Sequence, residues 1–179
     1  MIIKVIRRSR QFFRAIFSKM EPVDHAFVSQ HLNEVEKQLF YNMDRAVQKH
    51  CVNVARTAMQ MAESASEMNL PLLTKGALLH DIGKTRGSLT IIDRVIYVIL
   101  HKISPRLVET MAQPRAGLLL ARFRNSFHVH LTHGATGAVI ARETGLNEDL
   151  IYLLKNHHNK KLANSSRELL TLFQADEVN

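Results

Sequence analysis

The chain is a succession of apolar stripes at helical spacing, and it rarely alternates apolar and polar residues as a half-buried strand would. Phe27, Val28, Leu32, Val35 and Leu39 predict one helix from near His25 to about Phe40, after a break at Glu21-Pro22-Val23-Asp24. Asn42 and Asp44 mark a restart. Val47, Val54, Ala58, Met61, Ala62 and Ala65 then form a buried stripe in a long helix from Arg45 to Met68, with His50 and Cys51 beside it. Asn69-Leu70-Pro71 is expected to end that helix, and Leu72 to Asp81 forms a short one. Thr90 to Lys102 reads as a buried helix too short to span a membrane. The next helix is expected from about Asn125, with His133 near its start, to Glu143, closed by Gly145. Asn147 caps a helix from Glu148 to His157, Asn159 to Ser165 is a polar loop, and a last helix begins at Ser166.

Composition narrows this to one all-α fold. Only 7 Gly and 4 Pro leave few places for hairpins, and 179 residues at 46% hydrophobic suffice for a single core. The expected architecture is a single-domain helical bundle, with residues 1–44 as an N-terminal amphipathic helix and lead-in helix and residues 45–179 as the main domain. The one cysteine, Cys51, excludes a disulfide framework and a thiolate zinc site, so the cytoplasm is the expected compartment.

Charge adds a feature at the start of the chain. Lys4, Arg7, Arg8, Arg10, Arg14 and Lys19 supply +6 of the net +8, with no acid among residues 1–20. Ile2, Ile6, Phe13, Ile16, Phe17 and Met20 wind onto the opposite side of the same helix. Such a helix packs on its own domain, on a second copy in a homo-oligomer, or peripherally on the inner membrane surface. The rest of the chain carries only +2, and no groove-reading or stacking motif accompanies the basic start. No nucleic-acid partner is expected.

The chemistry gathers at Leu78-Leu79-His80-Asp81-Ile82-Gly83-Lys84. Side by side at a helix end, a histidine and an aspartate offer a neutral nitrogen and an anionic oxygen to a metal. On the heptad alone, an ordinary capped end is equally open, with Gly83 supplying a left-handed turn. Ten histidines are the unusual feature of the composition, and His50, His133, His157-His158 and Asp176 put further ligand types on other helices. Facing helices of a bundle commonly build such carboxylate and histidine sites, and the absence of thiolate favours iron, manganese or zinc.

The ordered set resembles the HD-domain metal-dependent phosphohydrolases, in the subgroup whose pair reads His-Asp-Ile-Gly. The resemblance covers about residues 45–179. His133-Gly134-Ala135-Thr136-Gly137-Ala138, and Glu148-Asp149-Leu150-Ile151 running into Asn156-His157, resemble the six-ligand, two-metal branch that includes the symmetrical diadenosine tetraphosphate hydrolases. It implies two divalent ions: one on His50, His80, Asp81 and Asp176, the other on Asp81 as a bridge, His133 and His157. Asp81 and Lys84 are then the catalytic residues, with water activated by the metals attacking a phosphate ester or anhydride of a small molecule, a nucleotide above all. His157-His158 is followed by Asn159-Lys160-Lys161, not by the Gly-Tyr-Pro segment of the HD-GYP cyclic-dinucleotide phosphodiesterases. Helical neighbours point about 100° apart, so His157 and not His158 is expected to face the cleft.

Between the His-Asp pair and His133, residues 85–128 carry Arg86, Arg94, Lys102, Arg106, Arg115, Arg122 and Arg124 against Asp93 and Glu109. This excess positions Lys84 and one or more of Arg86, Arg122 and Arg124 to hold substrate phosphates. The alternative function is a regulatory or interaction module that keeps the fold and metal site without significant catalysis.

Overall fold

The computed structural model describes residues 19–63, 67–84, 104, 106, 108, 110 and 121–179, at 121–126 for the backbone alone. Seven α-helices account for most of these: α1 (Pro22–His31), α2 (Glu34–Tyr41), α3 (Arg45–Ala62), α4 (Leu70–Leu79), α5 (Ala121–Glu143), α6 (Glu148–Asn156) and α7 (Arg167–Val178). A single 3₁₀ turn, Ala163–Ser165, lies before α7, and there is no β-strand among the described residues. The all-α expectation holds. No helix among them is long and apolar enough to cross a membrane. The basic stripe of residues 1–18 and the apolar run of residues 90–102 lie outside the described residues.

Helix boundaries differ from the sequence expectation where capping side chains decide them. The helix expected from His25 to Phe40 is two helices, because Asn33 caps α2: its Oδ1 accepts from Glu36 N (2.9 Å), while Glu36 Oε2 accepts from Asn33 N (2.8 Å). The long helix stops at Ala62 and not at Met68. Asn69-Leu70-Pro71 starts a helix instead of ending one. Asn69 Oδ1 accepts from Leu72 N (3.1 Å), and Pro71 falls in the first turn, where a missing N–H loses no intrahelical bond. α5 begins at Ala121, so His133 stands mid-helix, and the polar segment before α7 contains the 3₁₀ turn. Gly145 does close α5: its φ is +74°, Gly145 N donates to Arg142 O (3.1 Å) and Leu146 N to Ala141 O (2.9 Å).

Helices α3 and α4 pack together, α7 crosses both, and α6 lies against α4 and α5. Val47, Cys51, Val54, Ala55, Ala58 and Ala62 form the buried face of α3 and meet Leu73, Ala77 and Leu78 of α4 and Leu169 and Leu172 of α7 in one core. Val28 and Phe40, from the lead-in helices, and Leu32 and Met43, just beyond their ends, belong to the same core. A buried charge cluster reinforces that junction. Asp24, with no solvent exposure, takes Lys49 Nζ at 2.6 Å on Oδ2 and Arg56 Nη1 at 2.8 Å on Oδ1, and Oδ2 also accepts from Glu21 N (2.9 Å). Burial pushes this carboxyl up, but Lys49, the Glu21 amide and Arg56 outweigh it and hold it below the usual carboxylate value.

Gly83 explains how α5 reaches the His-Asp turn. A Cβ at Gly83 would fall on His133 O and lie 2.9 Å from Gly137 N, and one at Gly137 would lie 3.3 Å from Gly83 N. Backbone therefore touches backbone. Gly83 is not in the left-handed region, so close approach, and not a helix-ending turn, is what requires glycine here.

Two outcomes follow for stability. Asp24→Asn leaves Lys49 without its partner and should lower the unfolding free energy by about 2 kcal/mol, measured by urea denaturation. Because the folded Asp24 value is depressed, that contribution is present above about pH 4 and lost as pH falls through the folded value, so the two proteins should converge in acid. Gly83→Ala must push α5 away from the His-Asp turn and should cost about 2–3 kcal/mol by the same measurement.

Candidate metal centre

The turn after α4 presents its two side chains into a cleft that α3, α5, α6 and α7 surround. His80 follows the last residue of α4, and the chain then tightens, with Ile82 N donating to Leu79 O (3.1 Å) and Lys84 N to Asp81 O (2.8 Å). His80 is wholly buried and Asp81 nearly so. From α3 comes His50, on the edge of the buried stripe one turn past Val47; from α7 comes Asp176, one residue past buried Ala175. α5 brings His133 and the end of α6 brings His157, both buried. All six residues expected to be ligands thus converge from five helices.

Three of the histidines are held in the same way. His80 Nδ1 lies 2.9 Å from Ala77 O, His133 Nδ1 2.7 Å from His130 O, and His157 Nδ1 2.7 Å from Leu154 O, each the carbonyl three residues earlier. A carbonyl only accepts, so each Nδ1 carries the proton and each ring presents an Nε2 to the cleft. His133 Nε2 and His157 Nε2 stand 3.2 Å apart, and His133 Nε2 lies 3.2 Å from Asp81 Oδ1. His80 Nε2 is buried without a hydrogen-bond partner, 3.7 Å from Asp81 Oδ1 and 3.6 Å from Asp176 Oδ1. His50 Nε2 is 3.0 Å from Asp176 Oδ1.

Electrostatics keeps the His80 and His157 rings uncharged and the two acids ionised. Burial pushes His80 and His157 below the ordinary histidine value, and for His157 the neighbouring rings of His158, His80 and His133 add to the effect. Burial alone would raise both carboxyls. For Asp81, Lys84 and then the histidines outweigh it; for Asp176, the His50 hydrogen bond and then His80 do so, and both acids end far below the usual range. Convergent neutral Nε2 atoms and two carboxylates, with His80 Nε2 lacking any partner, form a donor set suited to a divalent cation. Among the described residues, two groupings have ligand atoms within 4.8 Å of one another, His50 with His80 and Asp81, and His133 with His157 and His158.

Lys84 lies in the cleft, its Nζ 2.8 Å from Asp81 Oδ1 and 2.9 Å from Oδ2. Arg86 lies outside the described residues, as do the side chains of Arg122 and Arg124, whose backbone is the first turn of α5. His158 departs from expectation. Its Nε2 is 3.1 Å from His133 Nε2 and its Nδ1 3.6 Å from Asp176 Oδ2. α6 ends at Asn156, so the 100° rule for helical neighbours no longer separates the two rings. Although half of its side chain is open to solvent, desolvation pushes His158 down to about 3, because its nitrogens face inward. Glycine again permits the approach: a Cβ at Gly134 would lie 3.1 Å from Lys155 O and 3.5 Å from His157 Cε1.

No curated protein and no solved structure matches the chain significantly. The model of one family, described as the HD domain, matches residues 47–179. That stretch contains His50, the His80-Asp81 pair, His133, His157 and Asp176, and the all-α bundle carries them into one cleft. The chain belongs to the HD-domain family, whose members are generally metal-dependent phosphohydrolases.

Proposed function

We propose that this chain is a metal-dependent phosphohydrolase that cleaves a phosphate ester or anhydride of a small molecule, a nucleotide above all. The observation that carries the reading is the shared anchoring of His80, His133 and His157, which turns three unprotonated nitrogens into one cleft, those of His80 and His133 beside Asp81. Such a constellation disfavours its own empty state and gains from a cation, which a merely structural cluster would not need.

The ligand sets proposed are His50, His80, Asp81 and Asp176 for one ion, and Asp81, His133 and His157 for a second. Bound divalent ions of iron, manganese or zinc would supply an activated water at neutral pH and a clamp on the phosphate oxygens. The chain itself contributes the remaining chemistry. Asp81 lies within 3.7 Å of His80 Nε2 and 3.2 Å of His133 Nε2, so it stands between the two ligand groups. Lys84 Nζ, one short turn beyond, is close enough to hold a phosphate oxygen as a point charge once Asp81 is engaged elsewhere. Burial of His80, His133 and His157 excludes bulk water from the inner wall, where it would screen these charges. The order His, His-Asp, His, His, Asp supports the two-metal branch, and Asn159-Lys160-Lys161 after His157-His158, in place of Gly-Tyr-Pro, argues against the cyclic-dinucleotide subtype.

Purified protein should contain close to two equivalents of metal by elemental analysis and hydrolyse members of a nucleotide panel supplied with iron or manganese. Asp81→Ala should lose bound metal and lower turnover by about a thousandfold or more while its helical circular dichroism survives; full metal occupancy in that variant would overturn the site. Lys84→Met should raise KM about tenfold with a smaller change in kcat, whereas an unchanged KM would remove Lys84 from substrate binding.

A further inference from the structure

Residues 1–18, which lie outside the described residues, carry a sequence feature that the metal centre does not use. Wound at about 100° per residue, Ile2, Ile6, Phe12, Phe13, Ile16 and Phe17 fall within one sector of about 140°. Lys4, Arg7, Arg8 and Arg14 fall on the opposite side. Arg10 and Lys19 mark the two borders, where a long basic side chain can lay its stem on an apolar layer and keep its charge in water. No acid occurs before Glu21.

The described residues fix where this segment joins the domain. Met20 packs against the core, and Glu21 and Asp24 close the capping box that starts α1. Asp24 in turn binds Lys49 and Arg56 of α3, so the junction is braced, with Val23 beside it 58% exposed. Charge decides what the segment can meet. The chain after residue 20 is itself +2, and Asp24, Glu34, Glu36 and Glu148 already pair with cations of their own domain. Its own domain, and equally a second copy, therefore has the same sign as the segment and engages these acids internally. A nucleic acid would satisfy the cations and leave the phenylalanines in water. An anionic bilayer answers both sides, its headgroups the cations and its acyl boundary the apolar sector.

We propose that residues 1–20 bind the domain peripherally to a bilayer surface rich in anionic lipid, with the segment lying in the plane of that surface. This goes beyond the hydrolase reading and does not rest on it. Each Lys or Arg near such a surface strengthens binding about fivefold, and the apolar sector supplies the part that salt does not screen.

The test is sedimentation of the full-length protein with vesicles of phosphatidylcholine, with and without phosphatidylserine. The wild type should bind the phosphatidylserine vesicles at least about tenfold more tightly, and should lose that excess between about 0.1 M and about 1 M salt, as the screening length falls from about 10 Å to about 3 Å. Arg7→Glu with Arg8→Glu should weaken the binding about fiftyfold or more. Phe13→Ser with Phe17→Ser should weaken it at least about tenfold with the charge unchanged. Both variants should keep the wild-type circular dichroism. Equal binding to the two kinds of vesicle, or none to either, overturns the proposal on the wild type alone and leaves the hydrolase reading untouched. So does binding that neither pair of substitutions changes. A wild-type dimer that Phe13→Ser with Phe17→Ser dissociates also overturns it, because the apolar sector then faces a second copy.

Discussion

Neutral imidazole nitrogens facing one another at 3.2 Å repel, and much of the surrounding structure serves to hold them there. The carbonyls of Ala77, His130 and Leu154 each take the proton on the far side of a ring, so the rings cannot relieve the crowding by exchanging tautomers. Gly83, Gly134 and Gly137 let backbones meet where side chains would have kept the helices apart. Lys84 neutralises Asp81, whose burial beside Cys51 would otherwise be costly. The bundle thus maintains a local arrangement that is unfavourable by itself, and the apolar packing of α3, α4, α6 and α7 offsets it.

Much of this was legible in the sequence, and the reasons are physical. Periodicity in Arg45–Ala62 and Glu148–Asn156 reports buried faces directly, so those helices were readable. The His-Asp pair was readable because two ligand types on adjacent residues are rare in an apolar run. What failed were boundaries. Asn33 and Asn69 act through single hydrogen bonds from their side chains, and the same residue types occur as ordinary loop residues elsewhere in the chain. Gly83 was read as a possible turn former because a sequence shows that a residue lacks a side chain, not which backbone passes over it. His158 escaped because a helix ending at Asn156, one residue earlier than expected, changes the direction of everything after it.

The lead-in helices show a different kind of illegibility. Asp24, Lys49 and Arg56 look like scattered surface charges in the sequence, separated by up to 32 residues, yet Asp24 is fully buried between the other two. Lys49 adjoins His50, so the ion cluster and the candidate metal centre share one turn of α3. Val28 and Phe40 continue the core that Val54 and Leu78 begin, which makes residues 22–44 part of the wall that fixes α3. A helix braced on one side by a buried ion cluster has little freedom to move a histidine on its other side.

The hydrogen bond between His50 and Asp176 joins residues 126 positions apart, and His80 and His133 must find their places between them. Contacts of such long range form late, because loop closure must come before any of them is rewarded. A cation that needs both ends of this span cannot be captured by the α3 and α4 hairpin alone, whatever helix it has already formed. On the proposed ligand set, metal uptake would be coupled to the docking of α7, and a bound ion would stabilise the whole fold by mass action instead of seeding one part of it. A centre of that kind is a latch on completed folding, and a chain arrested before that step would expose imidazoles and carboxylates without the geometry to hold an ion tightly.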